Sequence, residues 1–171
     1  MKNNVVLIGM PGSGKSTCGV LAAKALLKNF FDTDLLIQNK ENSLLQSIID
    51  SKGAEYFAAA EESAVLSLTI EGSVIATGGS VVYSEKAMRH LAKLGTIIYL
   101  HLDYDKMIER ISNITTRGIV LKKGATMRDM YDERLPLYRK YAEYEIDCNN
   151  HTVEETVEQI VKKYSLSEKS S

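Results

Sequence analysis

The sequence predicts an α/β fold built on a parallel sheet, and three observations carry that reading. Apolar runs alternate with helix-period segments along the chain, as in successive strand–helix–strand units. One of those runs, Thr96–Leu102, is apolar almost throughout, the pattern of a strand covered on both faces. The first run, Val5–Gly9, passes straight into the glycine-rich GMPGSGKST, which opens a helix.

Taken in order, Val5–Gly9 is the first strand, and Lys15 to about Lys28 follows as a helix. Val20, Leu21, Ala23, Leu26 and Leu27 are assigned to its apolar face. A short strand, Phe30–Phe31, ends in Asp32-Thr33-Asp34. Ser43 can cap a helix over LLQSIID, and Gly53 breaks it. Ala54–Ile70 is alanine-rich and reads as the next helix. Val74–Thr77 is a strand, and Ser84–Leu94 a helix stopped by Gly95, before the strand Thr96–Leu102. Asp103 starts a helix through Ile111; residues 112–124 lack clear periodicity and carry Arg117, Lys122 and Lys123. Thr126–Tyr144 reads as a helix interrupted near Pro136, Glu145–Asp147 as a last short strand, and Val153–Tyr164 as the closing helix. Thr152 and Glu155 have the spacing of a capping box at its start. The polar SLSEKSS after Tyr164 is expected to fray. With no internal repeat and no linker, residues 1–164 are expected to form one domain and residues 165–171 a disordered tail.

Bulk properties exclude several functions. A chain of 171 residues can bury a core without disulfides or metal. Its formal net charge is −1, and no basic stripe interleaved with aromatics appears, so nucleic acid is not expected as a partner. No apolar run approaches a membrane span, and MKNNVVLIGM enters a strand at once, leaving no room for a signal peptide. Cys18 and Cys148 fit no metal or redox spacing and read as reduced packing residues of a cytoplasmic protein. No membrane and no second subunit are expected as partners.

Gly9, Gly14, Lys15 and Ser16 match G-x-x-x-x-G-K-[ST] in the required place, after a strand and opening a helix. A plain glycine turn is the bland alternative. Glycines let the backbone N–H groups of Gly12, Ser13 and Gly14 turn inward around a phosphate, and the helix N-terminus adds partial positive charge. Lys15 then serves as a point charge at the β/γ-phosphates, Ser16 offers a hydroxyl to Mg²⁺, and Thr17 a second contact on the nucleotide. Asn39-Lys40-Glu41-Asn42 imitates a guanine-reading N-K-x-D but lacks its final Asp. Asp103 is better read as a helix N-cap than as a metal-binding acid. Asp32 and Asp34 stand at the C-terminal end of the second strand, where open α/β sheets bind ligands. Two acids at i and i+2 on an extended chain point the same way, so one can face Mg²⁺ while the other takes a substrate hydroxyl proton. A helix N-cap with a solvated neighbour is the alternative.

GMPGSGKST, FDTD, KGAEYFAAAEE, VIATGGSVV, RGIV and DERLPLYRKYAE follow in the order and spacing of the shikimate kinases, and the resemblance runs from Val5 to Tyr164. It implies a P-loop, nucleoside-monophosphate-kinase-like three-layer α/β fold: a five-stranded parallel sheet flanked by helices, with a mobile lid at about residues 112–124. It implies transfer of the γ-phosphate of ATP to the 3-hydroxyl of shikimate. Carried over by position, it places Lys15 and Ser16 at phosphate and Mg²⁺, Asp32 near the metal, and Asp34 on the acceptor hydroxyl. Gly78 and Gly79 would bring N–H groups to the acceptor and Arg134 would hold its carboxylate. Arg117 would reach the transferring phosphoryl from the lid, and Arg110 would lie by the adenine. Without the resemblance, Arg110 and Arg134 read as surface helix residues.

Three departures stand out. The family's F-R-x-x-E is Phe57-Ala58-Ala59-Ala60-Glu61 here, so the arginine that holds the substrate carboxylate is replaced by Ala58. The third glycine after the ATGG strand is Ser80, and the lid's Arg-Pro is Arg117-Gly118. A charge-assisted hydrogen bond contributes about 1.5–3 kcal/mol, so its loss lowers acceptor affinity roughly 10- to 100-fold. With Glu61 and Asp34 short of positive charge, the pocket favours a neutral polyol or an ammonium-bearing acceptor, although Arg134 alone can hold a carboxylate. A relative acting on another polyhydroxy or amino-alcohol metabolite, and a nucleotide-binding module without turnover, are the alternatives.

Overall fold

The protein is described by a computed structural model, which covers residues 3–112 and 118–169. Its strands are β1 (Asn4–Ile8), β2 (Asn29–Asp32), β3 (Ser73–Ala76), β4 (Gly95–His101) and β5 (Tyr144–Asp147). All pair in parallel, in the order β2-β3-β1-β4-β5. Central β1 explains the first apolar run: Val6 and Ile8 enter the core on one face, Val5 and Leu7 the core on the other. Period-two alternation on a strand buried on both faces gives an unbroken apolar string.

Helices cover both faces, which makes three layers. α1 (Lys15–Ala25) and α8 (Val153–Lys169) lie on one side, contributing Cys18, Ala22, Ala23, Ile160 and Tyr164. α5 (Glu85–Leu94), α6 (Tyr104–Ser112) and α7 (Met127–Tyr141) lie on the other, with Met88, Leu91, Met107, Tyr131 and Tyr138. α2 (Thr33–Glu41), α3 (Leu45–Lys52) and α4 (Ala54–Leu66) build a smaller core from Ile37, Leu45, Ile48, Phe57 and Ala64, against which Val120 packs. Two of the cores flank the sheet; the third walls the cleft at the strands' C-terminal ends.

Several expectations are corrected. α1 ends at Ala25, and Val20, Leu21 and Leu27 are 49%, 39% and 95% exposed. Its buried face is Cys18, Gly19, Ala22 and Ala23, small residues that let the helix lie close on the sheet. No helix was laid out for α2, but the alternative of an N-cap at the aspartate pair holds: Asp32 caps it, accepting from the Asp34 N–H at 2.9 Å, so Asp34 sits in a helical first turn rather than on extended chain. α3 begins after Leu44 with no side-chain cap, so Ser43 does not cap it. α4 stops at Leu66, and α7 runs unbroken through Pro136. α8 continues to Lys169: Thr96 Oγ1 donates to Ser167 Oγ at 3.0 Å and Tyr164 Oη to Glu168 Oε1 at 2.9 Å, ordering part of the expected tail. The capping box of Thr152 and Glu155 forms as expected, with bonds of 2.7 and 3.2 Å.

Candidate active site

The loop after β1 turns on Gly14, whose φ of +92° admits a side chain poorly, and delivers Lys15 into α1. Lys15 is 7% exposed. Its ammonium donates to the carbonyls of Gly9 at 2.7 Å and Met10 at 2.9 Å, which hold it under the loop with Ser13 beside it. Ser16 Oγ donates to Asp32 Oδ2 at 2.7 Å, while the other Asp32 oxygen caps α2. One carboxylate therefore serves both as the helix cap and as a partner of the loop. Gly12, Ser13 and Gly14 lie in the loop itself, and Thr17 is exposed on the first turn of α1.

A cavity of about 100 Å³ joins Lys15 and Ser16 to Asp34, Thr77, Gly79 and Gly118. A smaller one of about 20 Å³ continues it towards Glu61, Gly78 and Arg134 and shares Pro11, Asp34, Gly79 and Gly118. Gly78 is required by close approach, because a Cβ there would collide with Glu61 Oε1 and stand 2.9 Å from Asp34 Oδ1. Its N–H donates to Thr33 Oγ1 at 3.2 Å, so the expectation that it points to the acceptor is corrected: α2 takes it. Gly79 stays at the cavity wall, held by Tyr138 Oη donating to its carbonyl at 2.5 Å.

Arg134 is not a surface residue; it is 2% exposed. Its Nη2 donates to the Val120 carbonyl at 2.9 Å, its Nε to Tyr83 Oη at 3.4 Å, and its Nη1 lies by Gly79. Arg110 is half-buried and bridges the Gly12 carbonyl and the Cys148 carbonyl, both at 3.3 Å. It borders a hollow of about 80 Å³ with Ser13, Gly14, Cys148 and His151, on the far side of the loop from Asp34. Arg117 and the rest of 113–117 lie outside the described residues. The following stretch packs down: a Cβ on Gly118 would stand 2.6 Å from Leu45 Cβ, and Lys122 donates to Glu133 at 2.5 Å.

Sequence reasoning set Glu61 in the acceptor pocket short of positive charge but gave it no ligand role, and did not foresee its bond to Ser80. Glu61 is 3% exposed; Ser80 Oγ donates to its Oε2 at 2.6 Å. Burial pushes its carboxyl up to about 7, the Ser80 bond opposing that rise and the Asp34 charge adding to it. The signal was the pair of departures: the hydroxyl at 80 reaches the carboxylate that the alanine at 58 leaves without an arginine. Tyr138, fully buried and stacked on Tyr99 at 5.0 Å, was also missed. Among the described residues no cluster of three or more His, Cys, Asp and Glu suits a metal, and no helix is long and apolar enough to cross a membrane.

Comparisons with known proteins agree with this geometry. A family model described as shikimate kinase matches residues 11–165. A shikimate kinase of Caldanaerobacter subterraneus subsp. tengcongensis is 35% identical over 164 residues, 94% of this chain and 95% of its own. One of Clostridium botulinum (strain Alaska E43 / Type E3) is 37% identical over 164 residues, 95% and 97% of the two chains. Among solved structures, a shikimate kinase from Acinetobacter baumannii in complex with shikimate superposes with a TM-score of 0.89 at 27% identity, over 98% of this chain and 94% of that one.

Proposed function

This chain belongs to the shikimate kinase family, and we propose that it transfers the γ-phosphoryl group of ATP to the 3-hydroxyl of shikimate. The observation that carries the reading is a pair of adjoining cavities that share Asp34 and Gly79, one lined by Lys15 and Ser16 and the other by Arg134. The G-x-x-x-x-G-K-S loop and the Asp34 carboxylate thus border the same cavity, which supports in-line phosphoryl transfer between groups held there.

In this reading the backbone N–H groups of Gly12 to Thr17 wrap the ATP phosphates, and Lys15 leaves its carbonyl cage to follow the moving phosphoryl group. Ser16 and Asp32, already 2.7 Å apart, are an oxygen pair suited to Mg²⁺. The ion would neutralise phosphate charge there. Asp34 orients the acceptor hydroxyl and takes its proton. Gly79 and Arg134 hold the acceptor, the latter through its carboxylate. Arg110 lies where the nucleoside end would emerge from the loop, and Arg117 is assigned to the transferring phosphoryl.

Asp34→Asn tests the division of labour. It should lower kcat with shikimate by about 10²–10⁴-fold and leave ATP affinity nearly unchanged, because it acts on the acceptor alone. Retained kcat would remove Asp34 from the chemistry.

A further inference from the structure

We propose that the acceptor pocket also takes a small zwitterionic alcohol, an α-amino acid with a side-chain hydroxyl, and phosphorylates that hydroxyl, with Glu61 holding the ammonium and Arg134 the carboxylate. The proposal rests on the phosphotransferase reading of the same cleft but not on shikimate as the acceptor.

Glu61 is the starting point. Its Oε1 is the one fully buried side-chain polar atom without a hydrogen-bond partner among the described residues. Buried carboxylate oxygens are costly unless something satisfies them, so an orphan of this kind in a ligand cleft asks for a donor from the ligand. Glu61 lines the acceptor pocket, and its Oε1 stands so close to Gly78, on the same wall, that a Cβ there would collide with it. The room beside it is about 20 Å³, enough for one water-sized group such as an ammonium.

The opposite charge stands next door. Arg134 Nη1 lies 3.1 Å from where a Gly79 Cβ would be. Gly78 and Gly79 are consecutive, with Cα atoms about 3.8 Å apart, so carboxylate and guanidinium flank one short stretch of backbone. An α-amino acid carries both matching counter-charges on one carbon. An acceptor with a carboxylate alone satisfies Arg134 and leaves Glu61 Oε1 as it is, since Ala58 supplies no cation. A zwitterion satisfies both. Its side-chain hydroxyl then extends towards Asp34 and the larger cavity beside Lys15. There the hydroxyl oxygen forms a bond to the γ-phosphorus of ATP. The bond from that phosphorus to the β,γ-bridging oxygen breaks, ADP departs with the electron pair, and the hydroxyl proton passes to Asp34.

The experiment measures ADP release from ATP with L-homoserine, L-serine, shikimate and 4-hydroxybutyrate, the last matching homoserine without its amine. The expected result is a kcat/KM for L-homoserine at least 10-fold above that for 4-hydroxybutyrate, the step set by one charge-assisted hydrogen bond. In Glu61→Gln the homoserine-to-shikimate ratio of kcat/KM should fall at least 10-fold. Release no faster than background ATP hydrolysis with both amino acids overturns the proposal, as does equal use of homoserine and its amine-free match. A Glu61→Gln variant with an unchanged ratio does so too. Turnover of shikimate without the amino acids overturns this inference alone; turnover of the amino acids without shikimate upholds it and removes shikimate from the proposed function.

Discussion

At the scale of single residues, Glu61 has the largest energetic consequence. Asp34, Arg134 and Lys15 surround it with charges of both signs, and Ser80 binds one of its oxygens, yet burial dominates. A carboxyl raised from 4.5 to about 7 on folding means the native state keeps a proton that the unfolded chain releases. Its stabilising effect is therefore full below pH 4.5 and lost as pH rises through 7. Converted at 1.36 kcal/mol per unit, the loss is about 3 kcal/mol by pH 8. Glu61→Gln keeps a bond to Ser80 and has no proton to lose. Denaturant unfolding of both proteins at pH 5 and pH 8 should show the variant gaining about 2.5 kcal/mol on the wild type between the two, part of the effect being already lost at pH 5. Parallel pH profiles would mean that the carboxyl titrates normally.

At the scale of elements, α4 carries the departure that most alters the acceptor half of the site. Ala58 and Glu61 are three apart on one helical face and both line a cavity of about 330 Å³ with Tyr83 and Val120. An arginine at 58 has space there to pair with Glu61 and present its other edge to an acceptor carboxylate. Ala58→Arg should lower the KM for shikimate about 10-fold and leave the ATP KM unchanged, since the nucleotide loop lies across the cleft. Steady-state kinetics with each substrate varied will decide it; an unaltered shikimate KM would mean that Arg134 alone holds the carboxylate. The neighbouring α2 illustrates what sequence pattern misses. Its Leu35 is 54% exposed and only Thr33 and Ile37 are buried, so no apolar stripe announces it. The helix is set by the Asp32 cap, the alternative reading of the aspartate pair, which the preferred reading as two acids on extended chain passed over.

For the whole molecule, the parts legible in the sequence were those fixed by local chemistry. The sheet followed from apolar runs on doubly covered strands, and the phosphate loop from a spacing that serves backbone geometry. What the sequence hid depends on contacts between distant segments. Without the family resemblance Arg134 reads as surface, and only the fold closes Val120, Tyr83 and Gly79 around it. Asn4 binds Ile70 and Leu94 carbonyls and the Ser73 N–H, tying the starts of three strands together, and no motif marks it. The acceptor pocket likewise takes residues from α2, α4, α7 and the loop after β3, so its closed shape and its orphan carboxylate emerge only on folding. This assembled cleft is assigned the transfer of phosphate from ATP to shikimate under the charge of Lys15. Phosphorus NMR of the protein with ATP and shikimate, beside a folded Lys15→Ala variant, tests it most directly. The expected result is one phosphate monoester of shikimate for every ADP formed, and none with the variant; no shikimate ester from the wild type, or equal turnover by Lys15→Ala, would rule that assignment out.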